Sequence, residues 1–156
     1  MESSLAGQLS RLIGASAVST GNEHEIDGLT PEAVVRPVDQ VQLSEVLRWA
    51  SSQQVSLLPR GGGTRSSLGN IPRKADVVLD MGAFNQLVDY QPADMTATVQ
   101  AGLTLSSMQR HLALGGEFVP LESAQAERST VGGILSSARA APCPTPMAYP
   151  GNGSSA

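Results

Sequence analysis

Aromatic side chains are nearly missing: two Phe, two Tyr and one Trp make up 3% of 156 residues. A core without them has to be packed from Val, Leu, Ile and Ala, and a hydrophobic content of 40% is enough for that. The same scarcity, with a net charge of -4 and an isoelectric point near 5.0, argues against the basic, aromatic-studded surface that holds nucleic acid. Cysteine occurs once, as Cys143, so no disulfide framework or cysteine-based zinc site can form within the chain. A reducing compartment is the corresponding expectation. No apolar run approaches the roughly 20 residues of a membrane span, and Met1-Glu2-Ser3-Ser4 lacks the basic start of a secretory signal. Together these absences predict a cytoplasmic, soluble chain with no nucleic-acid partner and no direct membrane span.

What is present is punctuation and periodicity. Sixteen glycines and ten prolines imply many turns and close backbone approaches. Leu5, Leu9, Leu12 and Ile13 share a helical face that Gly14 can end. A polar stretch follows, with His24 among Glu23, Glu25 and Asp27; its spacing suits a solvated loop rather than a metal site. Ala33-Val34-Val35-Arg36-Pro37 reads as a strand. The next segment reads as a helix: Asp39 caps it, Gln42 completes a capping-box variant, and Val38 with Leu43 form a staple. Leu43, Val46, Leu47 and Ala50 make its apolar face, with Trp49 packed beside it. Val55-Ser56-Leu57-Leu58 is the next strand. This βαβ unit predicts two parallel, adjacent strands.

Further on, Asp76-Val77-Val78-Leu79-Asp80 reads as a strand. Leu87-Val88-Asp89-Tyr90 and Thr96-Ala97-Thr98-Val99-Gln100 form a pair turned by Pro92-Ala93-Asp94. The second of these alternates as a strand buried on one face would. Thr104 caps another helix with Leu105, Met108 and Leu112 inward, Leu103 and Met108 as its staple, and Gly115-Gly116 as its stop. Glu117-Phe118-Val119-Pro120 is extended. Thr130-Val131-Gly132-Gly133-Ile134 opens a last helix with a small-residue surface. The segment 140–156 loses all periodicity and reads as an irregular or disordered tail.

The chemistry is concentrated in Pro59-Arg60-Gly61-Gly62-Gly63-Thr64-Arg65-Ser66-Ser67-Leu68-Gly69, which leaves the second strand of the βαβ unit. Consecutive glycines let backbone amides converge on an anion, and ligands of such sheets collect beyond the carboxyl ends of strands. Arg60 and Arg65 add positive charge; Thr64, Ser66 and Ser67 add hydroxyls. A flexible turn is the plainer alternative. A dinucleotide fingerprint fails because Ser66 stands at its third glycine and no helix follows; a P-loop fails because no Gly-Lys pair is present.

The order of Pro59-Arg60-Gly61-Gly62-Gly63-Thr64, Leu68-Gly69, a strand ending at Asp80, Val99-Gln100-Ala101-Gly102 and Thr130-Val131-Gly132-Gly133 resembles the PCMH-type FAD-binding domain. This is the fold of the vanillyl-alcohol oxidase and para-cresol methylhydroxylase superfamily. Within it the chain is most similar to the FAD-linked lactate and glycolate dehydrogenases and the FAD-binding subunit of bacterial glycolate oxidase. The resemblance implies an α/β (α+β) fold: a first subdomain with a small βαβ core and additional antiparallel strands, over 30–138. Residues 1–29 then form an N-terminal helix and polar segment, and 139–156 the tail.

The resemblance also implies FAD, held non-covalently because no His or Cys lies in the glycine loop. Pro59, Arg60, Gly61, Gly62, Gly63, Thr64, Leu68 and Gly69 would line its diphosphate, with Pro120, Thr130, Val131, Gly132 and Gly133 against the cofactor. Close packing between elements is the other reading of Gly132 and Gly133. His111 reads as structural. No catalytic base is visible: Asp76, Asp80, Asp89 and Asp94 read as solvated residues of strand ends and turns. The family's domain continues past Gly132-Gly133 with a Tyr-Gly-x-x-Arg-Asp-like stretch, of which Tyr149-Pro150-Gly151-Asn152-Gly153 is a faint echo, and then with further strands and a substrate domain. The chain therefore reads as incomplete, and as a weak binder alone. The implied parent activity is flavin-dependent oxidation of a small alcohol or 2-hydroxy acid, with other oxidase subunits as partners. Three alternatives stay open: a non-catalytic scaffold subunit, another nucleotide-phosphate binder, and an inactive fragment.

Overall fold

The computed structural model describes residues 4–20, 25 and 28–137; the expectations for His24, Cys143 and the segment 140–156 lie outside these residues. Helix α1 (Leu5–Ile13) begins at Ser4, whose side chain accepts the Gly7 amide, and stops at Gly14 in a positive-φ conformation. Leu9 and Ile13 are buried and Leu5 is partly buried, as the periodicity predicts, but Leu12, expected on the same face, is exposed, because none of the described core residues packs over that edge of the helix. A short strand, β1 (Val18–Thr20), follows within a stretch that reads as polar. Next come β2 (Ala33–Val35), α2 (Gln40–Gln53), β3 (Leu57–Arg60) and β4 (Val77–Asp80).

Helix α2 starts as its caps dictate. Asp39 Oδ1 accepts the Gln42 amide at 2.8 Å, and Gln42 Oε1 accepts the Val38 amide at 3.1 Å. Val46 and Ala50 are buried. Leu47, expected on the same face, is exposed, and so is Val38, which leaves its staple with Leu43 loose. Trp49 packs at the margin of the core and donates its indole N–H to Gln8 Oε1.

The strands order as β1-β2-β4-β3, which corrects the expected adjacency of β2 and β3. Each is parallel to β4, which lies between them: Val34 and Leu58 both stand opposite Val78. Burial explains the insertion. All of β4 is buried, and an unbroken apolar run is most stable inside a parallel sheet covered on both faces. β3 carries Pro59, which has no ladder donor and suits an edge. β3 also runs to Arg60 rather than beginning at Val55. One face of the sheet, with Ala33, Val35, Val77 and Leu79, packs on Leu9, Ile13 and Val46. The other face carries Val34 and Val78, with Leu58 beside them. The N-terminal helix thus shares the core of the sheet.

A second cluster forms around helix α3 (Leu105–Ala113), where Leu103, Met108 and Leu112 pack with Val131 from helix α4 (Val131–Ser136). Thr104 caps α3 through the Ser107 amide, and Leu105, Met108 and Leu112 are its buried residues, as expected. The antiparallel pair β5 (Leu87–Gln91) and β6 (Thr96–Val99) leans on this cluster through Tyr90 and Val99 only. The expectation that β6 is buried on one face is corrected: Thr96, Ala97 and Thr98 are exposed. The ribbon pairs with no other strand among the described residues, so alternation along it records residue choice without burial.

Candidate functional site

Because β2, β3 and β4 are parallel, their carboxyl ends meet on one side of the sheet. The chain leaves β3 there into the glycine loop. Its glycines answer to different constraints. A Cβ on Gly61 would lie 2.2 Å from Thr130 Oγ1, and one on Gly62 would lie 1.7 Å from the Arg128 carbonyl oxygen. The backs of both residues are therefore pressed against the segment that leads into α4. Gly63 turns the chain at φ 68°, and a Cβ there would also meet the Arg60 guanidinium at 2.6 Å. Hydroxyls fasten the loop from the same side: Thr64 Oγ1 lies 3.0 Å from Ser129 Oγ, which lies 2.6 Å from Ser123 Oγ.

Beside the loop is an open cleft of about 430 Å³, lined by Pro59, Arg60, the residues from Gly61 to Ser66, Leu68 and Gly69, and by Thr130, Gly133, Ser136 and Ser137. Among the described residues no carboxylate is on its wall, although the chain as a whole is acidic. Within the described structure, the backbone N–H groups of Gly61, Gly62, Gly63 and Thr64 make no hydrogen bond. Free backbone donors beside two arginines and several hydroxyls have the chemistry that suits an anion.

Helix α4 contributes differently from what its glycines suggest. Val131 N–H donates to Leu103 O at 2.8 Å, Gly132 N–H to Ala101 O at 2.9 Å, and Gly133 N–H to Thr130 Oγ1 at 3.2 Å. Its first-turn amides are therefore already used inside the protein. A Cβ on Gly132 would meet Ala101 Cβ and O at 2.9 Å, so this glycine serves close packing. Val131 is buried under α3 and does not line the cleft. Pro120 is exposed in the segment after α3 and does not line it either. Of the C-terminal group, Thr130 and Gly133 reach the cleft. Ser136 and Ser137 reach it too; sequence reasoning missed them because a serine at a helix end carries no signal of what it faces.

The Thr130–Gly61 contact gives a direct check of this arrangement. Thr130→Ala should cost about 1 kcal/mol as a lost cap. Gly61→Ala should cost about 2 kcal/mol alone, and about 1 kcal/mol less when Thr130 is already alanine. Urea unfolding of the two single variants and the double variant measures this coupling. Strict additivity would mean that Thr130 does not sit behind the loop.

The carboxylates are structural, and one expectation about them is corrected. Asp80, read as solvated, is buried at the end of β4; it pairs with Arg36 and accepts the Gly82 amide at 2.7 Å. Asp76 stands at the opposite, amino-terminal end of the sheet. Burial pushes its pKa up, but Lys74 at 2.8 Å and the Ser56 amide outweigh that and hold it below the usual carboxylate value. Asp89 and Asp94 are exposed. His111 is exposed, with Nδ1 2.7 Å from the Ser107 carbonyl of its own helix.

Residues 31–145 match a protein-family model described as an FAD binding domain. The D-2-hydroxyglutarate dehydrogenase of Stutzerimonas stutzeri is 31% identical over 105 residues, covering 67% of this chain and 23% of the relative. The glycolate oxidase subunit GlcD of Bacillus subtilis is 33% identical over 105 residues, covering 67% and 22%. The chain thus spans less than a quarter of these curated relatives. Among solved structures, p-cresol methylhydroxylase with substrate bound superposes at a TM-score of 0.69 and 18% identity, over 83% of this chain and 28% of that one. An alkyldihydroxyacetonephosphate synthase superposes at 0.57 and 26% identity, over 68% and 22%. The fold is accordingly of the PCMH type. The cleft fits one part of FAD well. Free amides, hydroxyls and arginines without carboxylates suit a diphosphate, whereas Pro59 and Leu68 offer little surface to an aromatic ring.

Proposed function

The chain belongs to the FAD binding domain family, whose cofactor is FAD, and we propose that its glycine cleft holds the FAD diphosphate in a flavin-dependent oxidoreductase acting on a small 2-hydroxy acid. The observation that carries this reading is the row of free backbone N–H groups from Gly61 to Thr64 in a cleft without carboxylates. Those amides and the Thr64 hydroxyl would donate hydrogen bonds to the phosphate oxygens. Thr130 and Gly133, which also line the cleft, would lie beside the cofactor. FAD, when bound, accepts the hydride from the substrate; the protein's own part is to orient it and to balance its charge. The substrate class rests on the relatives, a D-2-hydroxyglutarate dehydrogenase and a glycolate oxidase subunit. Assembly with other oxidase subunits rests on the latter. Non-covalent attachment is part of the reading, since the loop offers no His or Cys. So is a cytoplasmic location, for which the single cysteine speaks; no helix among the described residues is long and apolar enough to cross a membrane.

Titration of the full chain with FAD, followed by flavin fluorescence, should give saturable quenching. ADP should compete for the site, since it carries the same diphosphate. Affinity should be modest, because much of a flavin would remain outside the cleft and buried contact supplies affinity. Unchanged fluorescence alongside tight ADP binding would replace the flavin reading with that of a general nucleotide-phosphate site. For the FAD-loaded protein, anaerobic bleaching of the flavin band by glycolate, D-lactate or 2-hydroxyglutarate tests the substrate class.

A further inference from the structure

Arg65 is the one charged side chain of the cleft whose environment asks for a ligand. It is half-buried on the wall, and its Nη1 donates to Ser137 Oγ at the end of α4. The Ser137 hydroxyl donates its own proton to Ile134 O at 3.0 Å, so its lone pair is turned toward the guanidinium. That bond pins one edge of the fork. A guanidinium carries five N–H donors, and among the described residues no other hydrogen bond and no carboxylate partner engages the Arg65 side chain. A partly desolvated cation without a counter-charge is unfavourable, and an anion at its free edge would remove that cost. Arg60, by contrast, folds back over the turn at Gly63.

We propose that Arg65 is the anion anchor of the cleft: pinned by Ser137, it takes a phosphate oxygen with its free edge and makes binding depend on a phosphate-bearing ligand. This rests on the flavin reading above and deepens it, because it adds an ionic contribution from one named side chain to that of the backbone amides. Selectivity for FAD over riboflavin, which has the same ring system and no phosphate, should then come in large part from Arg65. The contribution should also weaken as salt screens it.

The test uses the full chain and its Arg65→Gln, Arg65→Lys and Ser137→Ala variants, with FAD and riboflavin followed by fluorescence and inorganic pyrophosphate by calorimetry, at low and high salt. Arg65→Gln should weaken FAD and pyrophosphate roughly tenfold or more, flatten the salt dependence, and leave riboflavin unchanged. Arg65→Lys should recover part of the loss, and Ser137→Ala should lie between it and the wild type. A purely structural role would weaken FAD and riboflavin alike and leave the salt dependence as it was, which would overturn the proposal. FAD binding that Arg65→Gln does not alter in strength or salt dependence overturns the anchor and leaves the flavin reading standing. Pyrophosphate binding that needs Arg65, without FAD binding, keeps the anchor and overturns the flavin reading. Binding of neither ligand by the wild type overturns both.

Discussion

Gly62→Ala is expected to lower stability by about 3 kcal/mol and the thermal midpoint by roughly 10 °C, and to abolish ligand binding with it. The added Cβ would lie 1.7 Å from the Arg128 carbonyl oxygen and 2.7 Å from its carbon. Neither side can yield cheaply. The Arg128 turn is held by Arg128 N–H and Ser129 N–H to Gln125 O, at 2.9 and 2.7 Å. It is also tied to the first turn of α3 by Ser106 N–H to Ala126 O and Leu105 N–H to Ser129 O. The loop is held by the end of β3. Gly69→Ala is the comparison: there a Cβ meets nothing within 4 Å, and only the φ of 105° opposes it. That variant should cost on the order of 1 kcal/mol. Differential scanning calorimetry of both decides the point. A midpoint for Gly62→Ala within about two degrees of the wild type would mean that the 128–130 segment is not seated behind the loop. An aspartate at position 62 would make a poor probe of phosphate binding, since it would break the packing before reaching any ligand.

Leu9→Ala should cost about 3 kcal/mol, as expected for a fully enclosed leucine whose site cannot collapse. Leu9 has 0% exposure and packs in the cluster that contains Val35, Val46, Val77 and Leu79. The residue lies well before position 31, where the family match begins. The loss therefore tests whether α1 belongs to the same cooperative unit as the sheet. Denaturant unfolding monitored by Trp49 fluorescence is suited to this, because the indole N–H bonds to Gln8 on α1 at 3.3 Å. A single transition shifted to lower denaturant is expected. An unshifted transition would show that α1 is not docked on β2 and β4.

Much of the local structure was legible because its causes are local. Asp39 and Thr104 each accept the amide three residues on, and that geometry follows from a short acceptor side chain ahead of a helical turn. The inward face of α3, and that of α1 apart from the exposed Leu12, follow from 3.6-residue periodicity. The position of the glycine loop was legible as well, since consecutive glycines after a strand mark a turn or a close backbone approach. Failures fell where distant residues decide. Nothing in Val77-Val78-Leu79 says that this strand will enter between β2 and β3. The exposure of Leu47 and of β6 depends on what covers them. Asp80 looks like any carboxylate at a strand end until Arg36, 44 residues away, is placed beside it.

The amino-acid sequence by itself determined the helices and their caps, the position of the glycine loop after a strand, and the family, because these depend on short-range spacing and residue type. The tertiary structure alone decided which groups of that loop are left without a partner in the described structure. It set Thr130 and Arg128 behind Gly61 and Gly62, consumed the first amides of α4 in contacts with Ala101 and Leu103, and brought Ser137 across to Arg65. Those contacts join residues 28 to 72 positions apart. Whether a glycine, an amide or an arginine is free for chemistry depends on which long-range partner has already taken it.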